Sequence, residues 1–530
     1  MKILRFIKTH YLAVILIIAL FLLGREIYRD YGIPWDEKAQ IDIARVNYDY
    51  IVKGNPELLT FTDRYYGPFF EVGIYYFLKD LSPSDYYYAR HLAIYSINLI
   101  GLLAFYFLAF RLFKRRGWAL LACVLLIVSP RIFADSLYNA KDIPLMDAYI
   151  FAVATLFVIT DALKNKRRPG VTFIMAGAHA VTTAIALSTR ISGLVIVLLT
   201  GIGFFLLLLQ NRAEWKRLLL VFGVYIIGTL GFTMMFWPIL WHDPLRQISN
   251  ALIEMNARPY KSINLYIGQL IPGQNLPWHY LPVWIGITTP ILVVCGFVIT
   301  HLWAGITGAA NIARRQFGCL IKANSAQIND WLVIFGWLYL PVLAVIAMRT
   351  TLYDGWRHAF FIYPAGELIA VWGMRRIWQF MSARFPGKVA VGVAGLIMLV
   401  GILEPVFFMV KNHPYENIYF NFLAGNPATL RQKYELDYWG LSYKQALDYI
   451  LENDPSPEIK VYLENSPGKS YIRLMLPSEI ASRFKIVDSP ERANYYVSNY
   501  RGHPQDYPFP EKYYSIVVRG TEIMVVYKLK

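Results

Sequence analysis

Run after run of apolar residues, each about long enough to cross a bilayer, constrains this chain more than any other feature. Inside lipid a backbone can satisfy its own polar groups only as a helix or a closed barrel, and a helical crossing needs about 20 predominantly apolar residues. Candidate spans fall at 9–25, 86–110, 118–131, 143–160, 171–187, 191–209, 218–237, 282–304, 330–348, 358–373 and 389–410. Only 17% of the 530 residues are charged and 56% are hydrophobic, against about a quarter charged in a soluble protein. The expected fold is an α-helical polytopic membrane protein of about eleven transmembrane helices.

Cations cluster between alternate spans: Arg111, Lys114, Arg115 and Arg116; Lys164, Lys166, Arg167 and Arg168; Arg212, Lys216 and Arg217; Arg314, Arg315 and Lys322; Arg375, Arg376, Arg384 and Lys388. Positive loops remain in the cytosol. They absorb much of the net charge of +16, and no basic stripe with interleaved aromatics points to nucleic acid. The N-terminal MKILRFIKTH and its apolar run read as an uncleaved signal anchor with a cytosolic N-terminus. Cys123 and Cys295 lie in apolar runs and Cys319 in a basic loop, so neither a disulfide framework nor metal-ligand spacing is present. The chain divides into a membrane unit, 1–410, and a polar tail, 411–530. In the tail SYKQALDYILEN has helical periodicity, IKVYLEN, FKIVDS and NYYVSNY read as strands, and SIVVRGTEIMVVYKL as a hairpin turning near Gly520. An odd number of spans places this small α/β domain outside the cytosol.

The same topology gathers polar segments on the non-cytosolic face: the loops 26–85 and 238–281, the stretch RIFADSLYNAKDIP at 131–144, the turn at Arg190, and RTTLYDGWRH at 349–358. In the first loop Pro34 and Trp35 precede two adjacent carboxylates, Asp36 and Glu37. Ile41, Ala44, Tyr48 and Ile51 then recur at helical spacing, as in a helix lying on the membrane surface. Asp36 can cap that helix or do chemistry. Asp36, Glu37, Arg131, Asp135, Lys141, Asp142, Arg190, Asp354, Arg357 and His358 would all lie near the headgroups, where ionisable groups are costly unless paired or functional. Snorkelling and capping account for some of them. A carboxylate that activates an acceptor, beside cations that hold a phosphate leaving group, accounts for the set. No Walker loop, HExxH or GxSxG occurs. His242, Asp243 and His279 could bind a metal, without a spacing signature.

WDE at 35–37, SPRIFADSLYNAKDIPL at 129–145, LSTRISGL at 187–194, LYDGWRHAFFIYP at 352–364 and the stretch from HPYENIYFN to YELDYWGLS at 413–442 resemble, in order and common side, the GT-C superfamily of membrane glycosyltransferases. They are most similar to the protein O-mannosyltransferase-like family 39 and its aminoarabinose transferase relatives. The resemblance implies transfer of a sugar from a polyprenyl-phosphate carrier to a protein, lipid or glycan acceptor, with inversion, at a bacterial plasma membrane. It implies Asp36 as general base with Glu37 as helper, and Arg131, Lys141, Arg190, Arg357 and His358 as candidates for the donor phosphate. Asp135 or Asp142 would be a second acid. A divalent metal is left open, and no other cofactor is implied. Neighbouring residues on one helix point about 100° apart, so only one of Asp36 and Glu37 is expected to reach the acceptor. A lipid-linked-sugar transporter and a non-catalytic scaffold of the same fold are the competing readings. A transporter would favour internal repeats and broken, charged midplane helices, and no repeat is visible.

Overall fold

The computed structural model describes residues 2–257, 262–313 and 325–530. Arg314, Arg315, Cys319 and Lys322, and positions 258–261 within the long loop, lie outside the described residues. Among those described, eight helices are long and apolar enough to cross a membrane: Thr9–Ile27, Pro83–Phe113, Asp142–Lys164, Pro169–Leu187, Ile191–Gln210, Arg212–Phe236, Asn329–Met348 and Gly387–Asn412. The run 118–131 becomes a broken pair, Arg116–Ile127 and Pro130–Tyr138, bent by 69°. The break is at Ser129-Pro130, because proline disfavours helix in the residue before it.

Two expected spans take another form. The run 282–304 is interrupted at Pro290: Tyr280–Thr288 ends there and Ile291–Ala313 begins. The run 358–373 opens as a 3-10 turn, Arg357–Ile362, and continues as Tyr363–Arg384. This helix buries Glu367 and carries Arg375 and Arg376, so length and composition alone do not mark it as a span. It packs against Ile291–Ala313 at very close range. A Cβ on Gly373 would stand 2.2 Å from the Gly296 carbonyl oxygen, and Thr300 Oγ1 donates to the Ile369 carbonyl at 2.6 Å. Small residues let helix backbones meet in this way within a membrane.

The bundle has two chemically distinct ends. At one, Arg111 pairs with Asp161 at 2.8 Å and Asp330 at 2.9 Å, Lys164 approaches Asp330, and Arg375 donates to the Phe113 carbonyl. These are the ends of the basic loops. The loops 26–85, 131–144, 188–193 and 349–358 converge at the other. There a helix forms at Glu37–Lys53, where helical spacing follows the two carboxylates, and the long loop holds a helix, Pro244–Ala257, followed by a hairpin of β1 (Ile263–Tyr266) and β2 (Gln269–Pro272).

The tail lies against this second end. Helix Tyr443–Asn453 covers a sheet of β3 (Ile459–Leu463), β4 (Phe484–Ile486), β5 (Tyr495–Ser498), β6 (Lys512–Val518) and β7 (Thr521–Lys528). The strand order is β4-β3-β5-β7-β6, parallel between β3 and both β4 and β5, antiparallel elsewhere. The expected terminal hairpin turns at Arg519 and Gly520, both at positive φ.

Candidate active site

Asp36 occupies the N-cap position of helix Glu37–Lys53, but its side chain makes no cap hydrogen bond. The carboxylate turns instead to Arg357, whose Nη2 donates to Oδ2 at 3.0 Å, and to Lys141, whose Nζ lies 4.0 Å away. Its side chain is 28% exposed, so solvent or a substrate can reach it. Burial would raise the Asp36 pKa. The charges of Arg357 and then Lys141 outweigh that and hold it below the ordinary carboxylate value.

Glu37 points elsewhere, as adjacent helical residues must. It is buried, with Arg90 Nε at 3.3 Å and His91 Nε2 at 3.2 Å. Arg90 also pairs with Glu71 at 2.6 Å. This network fastens helix Glu37–Lys53 to Pro83–Phe113, the helix that carries both Arg90 and His91. The two carboxylates of the first loop therefore serve different surroundings.

Arg357 is the hub. Its chain enters through Asp354 and Gly355, both at positive φ, a turn that favours glycine at the second position. Arg357 donates to Asp354 at 3.0 Å, to Asp142 at 3.1 Å and to Asp36, with the Trp439 ring 4.7 Å from its guanidinium. Asp142 also pairs with Arg190 at 3.0 Å. Arg190 is brought in by the turn after Pro169–Leu187, on which the first loop sits directly. Phe69 N donates to the Ser188 carbonyl, and a Cβ on Gly67 would stand 2.3 Å from that residue, so only glycine fits there. The Arg190 Nε is buried without a hydrogen-bond partner. Lys141 lies over the Tyr66 ring at 4.1 Å.

Asn139 organises the second loop. Its Oδ1 accepts from the backbone of Lys141 and Asp142, and its Nδ2 donates to Asp135 at 2.8 Å and to Asp142 at 3.0 Å. Asp135 thereby joins the cluster, and Trp439 Nε1 donates to it as well. Arg131 and His358 lie beside the cluster: Arg131 is near enough to feel the Asp135 charge, and His358 those of Arg357, Arg190 and Lys141. Arg131 donates to the Tyr419 carbonyl between the rings of Trp284 and Phe420. His358 packs edge-on against Tyr353, with its Nδ1 unpartnered. Among the described residues no three His, Cys, Asp or Glu side chains are arranged to hold a metal. The guanidinium of Arg357 fills the space between Asp36, Asp142 and Asp354, so these carboxylates do not fit a cation there. His279 is hydrogen-bonded to Tyr266.

Asn139, Trp439 and Arg501 are the members that the sequence reading missed. Asn139 lies inside a motif it singled out, and an Asn shortly before a helix is a turn signal. Arg501 comes from the tail, where no motif marks it. Its Nη2 donates to Asp354 at 2.7 Å.

No family model matches the chain, and no curated protein does. Among solved structures it is similar to ArnT from Cupriavidus metallidurans bound to undecaprenyl phosphate. That alignment has 14% identity, covers 98% of each chain and has a TM-score of 0.47. It is also similar to the apo oligosaccharyltransferase of Archaeoglobus fulgidus, with 10% identity over 93% of this chain and 69% of that one, at a TM-score of 0.49.

Proposed function

We propose that the chain is a GT-C-type membrane glycosyltransferase that moves a sugar from a polyprenyl-phosphate carrier to a hydroxyl-bearing acceptor on the non-cytosolic face. The observation that carries this reading is the Asp36 carboxylate: partly exposed, free of any capping bond and flanked by Arg357 and Lys141. The order of the loop motifs, which resembles that superfamily, supports it too.

In this reading Asp36 takes the proton from the acceptor hydroxyl as its oxygen attacks the anomeric carbon. The bond from that carbon to the phosphate oxygen breaks in the same step, and the lipid phosphate leaves with the electron pair. The configuration inverts, and no glycosyl-enzyme forms. Lys141 and Arg190 are the cations best suited to the leaving phosphate: Arg190 retains an unpartnered donor, and Lys141 lies beside Asp36. Arg357, committed to three carboxylates, holds Asp36 in place, and Asp142 holds Arg190 and Arg357 together.

Asp36→Asn tests the assignment, because it preserves size while removing the base. A general base contributes roughly a hundred- to ten-thousandfold in rate. Purified variant and wild type would be given a panel of radiolabelled polyprenyl-phosphate sugars and scored for transfer or donor hydrolysis. The variant is expected to be monodisperse, to bind donor and to transfer almost nothing. Near wild-type transfer would remove Asp36 from the chemistry.

A further inference from the structure

The tail reaches into the charged site. Arg501 follows β5 in a tight turn, with Tyr500 at φ 58° and Gly502 at φ 72° on either side. Asn499 Nδ2 fixes that turn by donating to the Asp437 carbonyl at 2.7 Å, and Tyr500 is held by Glu522. The Arg501 guanidinium lies 4.5 Å from the Trp35 ring centroid, donates to the Tyr438 carbonyl, and pairs with Asp354 at 2.7 Å. Trp35 precedes Asp36, and its backbone N–H donates to the Trp439 carbonyl at 2.9 Å. Carboxylate and guanidinium therefore alternate without a gap: Arg501 on Asp354, Asp354 on Arg357, Arg357 on Asp36.

We infer that Arg501 is a positioning residue for the reaction proposed above, holding Asp354 so that Arg357 stays on the Asp36 carboxylate. The inference rests on the reading of Asp36 as the base. Two cations and two anions in a row stabilise one another only while each has its neighbour, and the two middle members are nearly desolvated: Arg357 is 0% exposed and Asp354 5%. Without Arg501, the Asp354 charge is left to Arg357 alone, and Arg357 is drawn off Asp36. The groups facing Asp36 are Arg357, Lys141, Arg501, Asp142 and, through Arg357, Asp354, with the Tyr353 hydroxyl beside them. Removing one cation from that set favours the neutral carboxyl, so the Asp36 pKa must rise.

Dicyclohexylcarbodiimide modifies protonated carboxyl groups in apolar surroundings, and peptide mass spectrometry reports the labelled residue. The full chain in detergent would be labelled from pH 4 to pH 8 without any substrate. Arg501→Gln should extend Asp36 labelling to higher pH by roughly one unit. Arg501→Lys, which keeps the charge, should recover most of the wild-type profile. Arg501→Met, which keeps the aliphatic stem on Trp35, replaces the Gln variant if that one does not fold. Superimposable profiles in monodisperse protein, or a Lys variant shifted as far as the Gln variant, would overturn the inference. Labelling requires no sugar transfer, so failure of the transferase reading and failure of the Arg501 role are separately visible.

Discussion

Asp36 and Glu37 share a peptide bond but not an environment, and that difference decides what each substitution does. Glu37→Gln leaves the buried Arg90 with Glu71 as its remaining carboxylate. Breaking a buried pair on one side costs about 3 kcal/mol or more. The variant should melt at clearly lower temperature in detergent, while transfer per folded molecule stays within a few-fold of wild type. If its stability is unchanged and transfer falls as far as in Asp36→Asn, Glu37 belongs to the chemistry. Much of the candidate site was legible residue by residue, because charged side chains at the ends of apolar runs are conspicuous in a chain like this. Asp36, Lys141, Asp142, Arg190 and Arg357 do converge. What could not be read was which cation each carboxylate selects. Pairing of Asp142 with both Arg190 and Arg357 depends on how the helices Asp142–Lys164 and Pro169–Leu187 present their ends, not on any local pattern. Arg131 looked equivalent to these cations and instead lies between aromatic rings.

At the scale of elements, His413 ties the end of the first helix to the segment after the last span. Its Nδ1 lies 2.6 Å from Glu416 Oε1 and its Nε2 2.9 Å from Asp30 Oδ2, while Tyr31 donates to the other Glu416 oxygen. Partial burial would lower the His413 pKa. The hydrogen bond and charge of Glu416, then those of Asp30, outweigh it and raise the value from 6.5 to about 9. A raised value means that the charged ring stabilises the fold fully below about pH 6.5, and that this contribution is lost as the pH rises through about 9. The full shift corresponds to about 3 kcal/mol, and solvent screening of the partly exposed ring reduces this to on the order of 2 kcal/mol. Thermal melting of wild type should fall across that window, and His413→Gln should flatten the fall. Equal slopes in both proteins would show that the clasp carries no proton-linked stability. Elements were otherwise readable wherever one physical signal dominated, as in the long apolar runs and the alternating strands of the tail. Less of the detail was readable where two signals competed. Pro290 interrupts an apolar run of full length, and Glu367, Arg375 and Arg376 lie on a helix whose close packing against Gly296 no hydropathy average reveals.

For the molecule as a whole, orientation follows from the separation of its ends. The basic loops meet around Arg111, and the charged cluster and the sheet lie together at the opposite end; from this we propose, by the rule that positive loops stay inside, that the cluster faces away from the cytosol. A reporter that is active only in the cytosol, fused after Lys530, should be silent; a strong signal would invert the orientation. The clasp between Trp35 and Trp439, and the bond from Asp354 to Arg501, join the beginning of the chain to its end. Assembly during synthesis is constrained by this. A nascent chain whose first loop has already crossed the bilayer displays Asp36 without the tail residues that surround it in the finished protein. If Asp36 and Arg501 act as proposed, a chain made only as far as its first loops would meet a lipid donor with an unready base, and competence would arrive only once Arg501 had joined the cluster.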